Sequence, residues 1–141
     1  MRGLTGLAAI LATLDPELQP GEFVFCTVPN SLPQSILALA PLGLFHEPEG
    51  LTVILPLPVA QANNLPVDLP LRWILLRVHS SLAAVGLTAA FSACLATHGI
   101  SANVVAGHFH DHLFIPAPDA QRALAALRGL QAQHAAKPDH V

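Results

Sequence analysis

The chain has 141 residues, one domain's length on a scale of roughly 100–200 residues per domain, and a formal net charge of −3. Apolar residues make up 52% and charged residues 11%, which excludes a disordered, self-repelling chain. The six cations (Arg2, Arg72, Arg77, Arg122, Arg128 and Lys137) are scattered, so the clustered positive charge that nucleic acid requires is missing.

Taken from the N-terminus, Leu4, Leu7, Ala8, Leu11 and Leu14 recur at helical spacing, and the spacing predicts a helix over 4–14 that Asp15-Pro16 ends. Glu22–Val28 reads as a strand, rich in aromatic and β-branched residues. Ser35–Leu39 and Leu42–His46 read as extended. The turn cluster Glu47-Pro48-Glu49-Gly50 and the strand Leu51–Leu55 then suggest a hairpin. Val59–Asn63 reads as one or two helical turns. The proline-rich stretch Leu65–Pro70 divides the chain into halves, taken as 1–66 with the leading helix and 67–141 with the tail.

The second half opens with a strand, Leu71–Val78, and a loop, His79-Ser80-Ser81, in which a serine can cap the helix predicted over Leu82–Thr97. His98-Gly99 stops that helix. Ile100–His108 reads as a strand, His110-Asp111 as near a turn, and His112–Ile115 as a further strand. Ala117-Pro118-Asp119 opens a last helix with Ala120, Ala123, Leu124, Leu127 and Leu130 inward, frayed from Gln133.

Strand–helix–strand–strand–helix describes the ferredoxin-like α+β class. The first half reads as a degenerate copy whose crossover helix is lost. No strand follows Gln131, so the second copy's last sheet position either stays empty or is filled from the first half.

Between Ser80 and Gly107 the only basic or acidic side chain is His98, yet the apolar core 82–96 is shorter than the ~20 residues a membrane helix needs. No membrane span and no secretory signal are expected, and the cytoplasm is the default compartment. Cys26 and Cys94 both lie in apolar runs and are expected buried and reduced. A surface so poor in charge predicts a homo-oligomer.

The block HSSLAAVGLTAAFSACLATHGISANVVAG, with HDHLFIP after it and EFVFCTVP and HEPEGLTVIL before it, resembles an ACT domain. Over roughly residues 5–132 the chain is similar to small stand-alone proteins built from two ACT-like βαββαβ-type units in tandem. The resemblance implies a regulatory fold that pairs side by side and binds amino acids or similar metabolites, with no cofactor. It implies ligand contacts from His79, Ser80, Ser81, Val85 and Gly86, then from Ile100, Ser101, Ala102 and Asn103. Asp111 resembles an acidic position that contacts ligand in arginine-sensing ACT pairs. The chain carries no attached enzyme or regulator, so an effector protein would be met in trans.

The residues themselves agree with such a site. Serines at a helix start lie beside unpaired amides, Gly86 inside a helix would permit close packing, and Asn103 is polar within an apolar strand. Two other classes remain open. His108, His110 and His112, at period two, would share one face of a continuous strand and form a metal-binding module. Alternatively, the apolar surface would serve assembly alone. No nucleophile elbow, P-loop or dinucleotide glycine pattern is present, and the chain is expected not to be an enzyme.

Overall fold

The computed structural model describes residues 6–30, 33–78 and 85–135. In chain order the elements are α1 (Leu7–Ala12), β1 (Pro16–Leu18), β2 (Phe23–Val28), α2 (Pro33–Leu37), β3 (Gly43–Glu47), β4 (Gly50–Pro56), α3 (Leu57–Ala62), β5 (Leu71–Leu76), α4 (Leu87–Thr97), β6 (Asn103–Ala106), β7 (Asp111–Pro116) and α5 (Ala120–Ala135). Contacts group them into two compact units, one of Met1–Gln19 with Trp73–Val141 and one of Pro20–Arg72. The boundary falls within β5, and the leading helix and β1 group with the second half of the chain.

In the unit Pro20–Arg72, β4 pairs antiparallel with β3 (Gly43↔Ile54 to Glu47↔Gly50) and with β2 (Phe23↔Pro56 to Val28↔Leu51). The expected hairpin therefore forms, closed at Pro48-Glu49. The start of β5 flanks β2 at Phe23↔Leu71. Alternation along β2 turns Val24, Cys26 and Val28 inward, where they meet Leu51, Val53 and Leu55 of β4. Residues 35–37, expected extended, instead lie in the short helix α2. Its Ile36 is only 5% exposed and packs in that same core. A buried anchor on a sheet face outweighs the weak local preference of so short a segment. The first copy's crossover helix is thus reduced rather than lost, and the order β2-α2-β3-β4-α3-β5 completes one βαββαβ cycle.

The second cycle is β5-α4-β6-β7-α5, and its missing last strand comes from the start of the chain. β1 pairs antiparallel with β5 (Pro16↔Leu76, Glu17↔Leu75, Leu18↔Ile74), giving the order β1-β5-β7-β6. Of the two expected outcomes, filling from the first half is the one realised. α1 is far too short to be stable alone and is held by burial. Ile10, Leu11 and Leu14 join Phe91 and Leu95 of α4, Leu113 and Ile115 of β7, and Leu124 and Leu127 of α5 in one core. Each such side chain contributes about 1.5–3 kcal/mol on full burial. The α5 stripe is as expected, with Ala126 also buried and Leu130 at its edge, and the helix runs on to Ala135. The architecture is α+β and ferredoxin-like, two βαββαβ-type cycles in tandem.

No described helix is long and apolar enough to cross a membrane. Both cysteines are free; Cys26 is buried, while Cys94 is only half-buried and hydrogen-bonds the Ala126 carbonyl at 3.4 Å.

Candidate functional site

The expected ligand contacts begin after β5, where Arg77 and Val78 are held by backbone bonds to the Asp15 and Leu14 carbonyls. His79, Ser80 and Ser81 lie outside the described residues. The described helix α4 starts at Leu87, not at 82, so its N-terminus is well beyond the two serines. Gly86 is not inside the helix, as expected, but caps it, with φ +96°. That left-handed conformation is one that only glycine adopts without strain. A Cβ there would also come within 3.1 Å of Leu7 Cδ2. The Gly86 carbonyl accepts the Ala90 N–H at 2.9 Å, and among the described residues no side-chain hydrogen bond caps the helix. The amides of its first turn therefore have no intrahelical partner, and they form the positive end of the helix dipole. Val85, just before the cap, is 85% exposed.

At the other end of α4, the Ile100 N–H bonds the Leu95 carbonyl and the Gly99 N–H the Ala96 carbonyl, a Schellman closure. Ile100 is 5% exposed and belongs to the core, so it is a packing residue rather than a ligand contact. The strand begins at Asn103 rather than 100 because this closure and the turn after it occupy the preceding residues. Ser101 is exposed and Ala102 packs on the core edge. Asn103 is exposed, and its Nδ2 donates to the Phe114 carbonyl across the hairpin at 3.2 Å.

Asp111 does not join Asn103. The register sets Asn103 opposite Phe114 and Ala106 opposite Asp111, so the two lie at opposite ends of the ladder, about 10 Å apart along it. The expected single ligand set is divided accordingly, with Asp111 in a second polar group at the β6–β7 turn.

That second group consists of Trp73, Gly107, His110, Asp111 and His112. The Gly107 N–H bonds the His110 carbonyl at 2.8 Å and closes a tight turn. The turn breaks the strand expected over 100–108, so His108, His110 and His112 share no strand face, and only His112 lies in a strand. Among the described residues no three His, Cys, Asp or Glu side chains are placed to hold a metal ion. Gly107 also permits close approach, since a Cβ there would stand 2.9 Å from His112 Nε2. Trp73 Nε1 donates to His112 Nδ1 at 3.2 Å, and the two rings tilt against each other at 5.7 Å. Because the indole N–H can only donate, His112 is neutral and carries its proton on Nε2. His110 Nδ1 is buried and has no hydrogen-bond partner among the described residues. Burial raises the Asp111 carboxyl above its ordinary value, with His112 and His110 pulling it back. Burial lowers the His112 imidazole; repulsion from His110 adds to this, and Asp111 partly offsets it.

Trp73 and Gly107 are the residues that sequence reasoning missed here. The signal was a lone tryptophan in a strand followed, much later, by a histidine-rich turn. Elsewhere, a groove of about 410 Å³ is lined by His98, Arg122, Ala125, Ala126 and Gly129. Its guanidinium is already engaged by Asp119 and the His98 carbonyl, each at 3.0 Å. Burial pushes both thiols up, which favours their protonated form.

Comparison with known proteins adds the following. Two family models described as ACT domain match residues 2–72 and residues 68–129. No curated protein matches the chain. Among solved structures, a protein of unknown function from Vibrio cholerae, described as a possible transport protein, is 48% identical. The match covers 89% of this chain and 95% of that one, with a TM-score of 0.81. A protein from Agrobacterium tumefaciens superposes at a TM-score of 0.64 with 20% identity, over 82% of this chain and 87% of its own. The regulatory subunit of aspartate kinase from Thermus flavus does so at 0.58 with 13% identity, over 82% and 95%. The last two share the fold.

Proposed function

Because the chain belongs to the ACT domain family, we propose that it is a non-catalytic sensor that binds an amino acid or a closely related metabolite. Family membership supports a regulatory, small-molecule-binding role. The observation that carries the finer reading is the start of α4. A left-handed glycine caps it, no described side chain hydrogen-bonds the cap, and the exposed Val85 stands beside it. Unpaired first-turn amides at the positive end of a helix suit a carboxylate. Val85 and Gly86, with the neighbouring Ser80 and Ser81, are the proposed contacts; Ser101–Asn103 follow the opposite end of α4 and stand outside this set. Asp111 lies at the β6–β7 turn, in the second polar group. The proposed working form is a cytoplasmic homodimer that signals to an effector protein, with ligand shifting the packing between ACT units.

Thermal-shift and calorimetric titration against the twenty amino acids tests the reading. A ligand at 100 times its Kd stabilises by roughly 2.7 kcal/mol, a readily measured rise in Tm. Val85→Glu, which sets a carboxylate beside the α4 amides at an exposed position, is expected to weaken binding on the order of tenfold without loss of fold. If no amino acid at millimolar concentration stabilises the protein, the amino-acid reading is wrong. Light scattering of the purified protein decides the dimer.

A further inference from the structure

The turn at Gly107–His110 is built around a bond that one proton can reverse. We propose that the Trp73–His112 hydrogen bond is a proton-operated latch: protonation of His112 Nδ1 breaks it and releases the β6–β7 turn that carries Phe109.

The latch follows from donor and acceptor chemistry. The Trp73 Nε1–H, 3.2 Å from His112 Nδ1, is a donor that cannot accept. A proton on Nδ1 would set two N–H groups against each other, so the imidazolium cannot keep this geometry. The ring has a neighbour on each side. Trp73 lies on one side at 5.7 Å between centroids. On the other side Nε2 sits where a Gly107 Cβ would come within 2.9 Å. The imidazole thus stands between Trp73 and Gly107, whose N–H holds the turn shut at the His110 carbonyl. At the tip of that turn stands Phe109, 61% exposed and edge-on to His108 at 4.9 Å.

Among the described residues, burial and His110 outweigh Asp111 in their influence on an imidazolium at this position. On its own strand and turn, His110 repels it and Asp111 attracts it. β6 opposes His112 with Val105, and none of the residues of that strand is titratable. On β5 the residue in contact is Trp73, with Arg72 next to it in sequence. Leu113 and Ile115 point into the core, so His112 lies on the sheet face turned away from it. By the register, Glu17 of β1 is on that face, opposite Leu75, and its carboxylate is engaged by Arg77 at 3.6 Å. Burial, the dominant influence on the His112 imidazole, favours the neutral ring. The latch is therefore closed at neutral pH and opens on acidification.

Trp73 is the single tryptophan of the chain, so indole fluorescence reads the latch directly. The full-length protein is titrated from pH 8 to pH 4.5 with no ligand added, so the outcome does not depend on the amino-acid reading. The expected result is a loss of emission as the imidazolium forms, with a midpoint below the ordinary histidine value of 6.5. Amide exchange at Gly107 should accelerate over the same range beyond its intrinsic pH dependence. His112→Gln, whose carbonyl oxygen keeps accepting the indole N–H at every pH, is expected to abolish both transitions. His110→Gln is expected to raise the midpoint by removing the repulsion. Nitrogen NMR of the wild-type histidines gives a further test: at pH 8, His112 should show a bare Nδ1 and a protonated Nε2. A proton on Nδ1 at pH 8, a flat emission curve in the wild type, or a transition that survives in His112→Gln overturns the proposal.

Discussion

Gln131 on α5 accepts a hydrogen bond at 2.9 Å from the backbone N–H of Asp15, 116 positions earlier in the chain. The same amide donates through Nε2 to the Ala12 carbonyl at 3.2 Å. One side chain thus secures the link between α1 and β1, the segment that supplies the last strand beside β5. The first bond is exposed and the second part-buried, so their net worth is modest. Gln131→Ala is expected to cost about 1 kcal/mol, read as a fall in urea midpoint without change in slope. Gln133→Ala, exposed on the same helix, should stay within about 0.5 kcal/mol of wild type.

The cap of α4 depends on backbone conformation rather than on a side chain. At φ +96°, Gly86→Ala meets the left-handed penalty of roughly 1–2 kcal/mol. The flexible end of Leu7, 3.1 Å from the added methyl, can yield, so conformation dominates the cost. Gly86→Asn should cost less, since asparagine tolerates this region. Thermal denaturation of the two variants ranks them, and equal losses would assign the effect to crowding against Leu7 instead.

Phe91 is fully buried between α1, α5 and the sheet strands of its unit. Phe91→Ala leaves a cavity and is expected to cost about 3–5 kcal/mol. Much of the stability of a domain of this size is lost in that one change. Phe45→Ala removes the same ring from a position 72% exposed, and its effect should be small by comparison.

The turn cluster gives two pH dependences of opposite sign. Asp111 has a raised carboxyl pKa in the fold. Its stabilising contribution is fully present below the unfolded value of 3.8 and is lost as pH rises through the folded pKa. Asp111→Asn is therefore expected to raise Tm at pH 7 and to leave it unchanged near pH 3. His112 has a lowered pKa, so its contribution is full above the unfolded value of 6.5 and is lost as pH falls. Wild-type Tm should drop between pH 7 and pH 5, and His112→Gln should flatten that part of the curve. Asp111→Asn also removes the attraction that favours the imidazolium, so the His112 midpoint should move lower still. Calorimetric scans at four or five pH values separate these effects.

Periodicity and punctuation alone determined most of the second half. The apolar run of 82–97 stopped by His98-Gly99, of which 87–97 is the described helix, the strand around Trp73 and the stripe Ala120–Leu127 are local patterns that burial then reinforced. The hairpin of 43–56 was equally legible, because its turn cluster and its strand of Leu, Val and Ile stand next to each other. What needed tertiary structure were the relations between distant segments. The helix at Ile36 exists because a sheet face receives that side chain. Pro16–Leu18 is a strand because β5 offers an open edge. The division of Asn103 from Asp111 follows from the ladder register: the sequence placed a turn near His110-Asp111, and pairing then set the two residues at opposite ends. Trp73 and His112, 39 residues apart, meet through strand order, which no local spacing records.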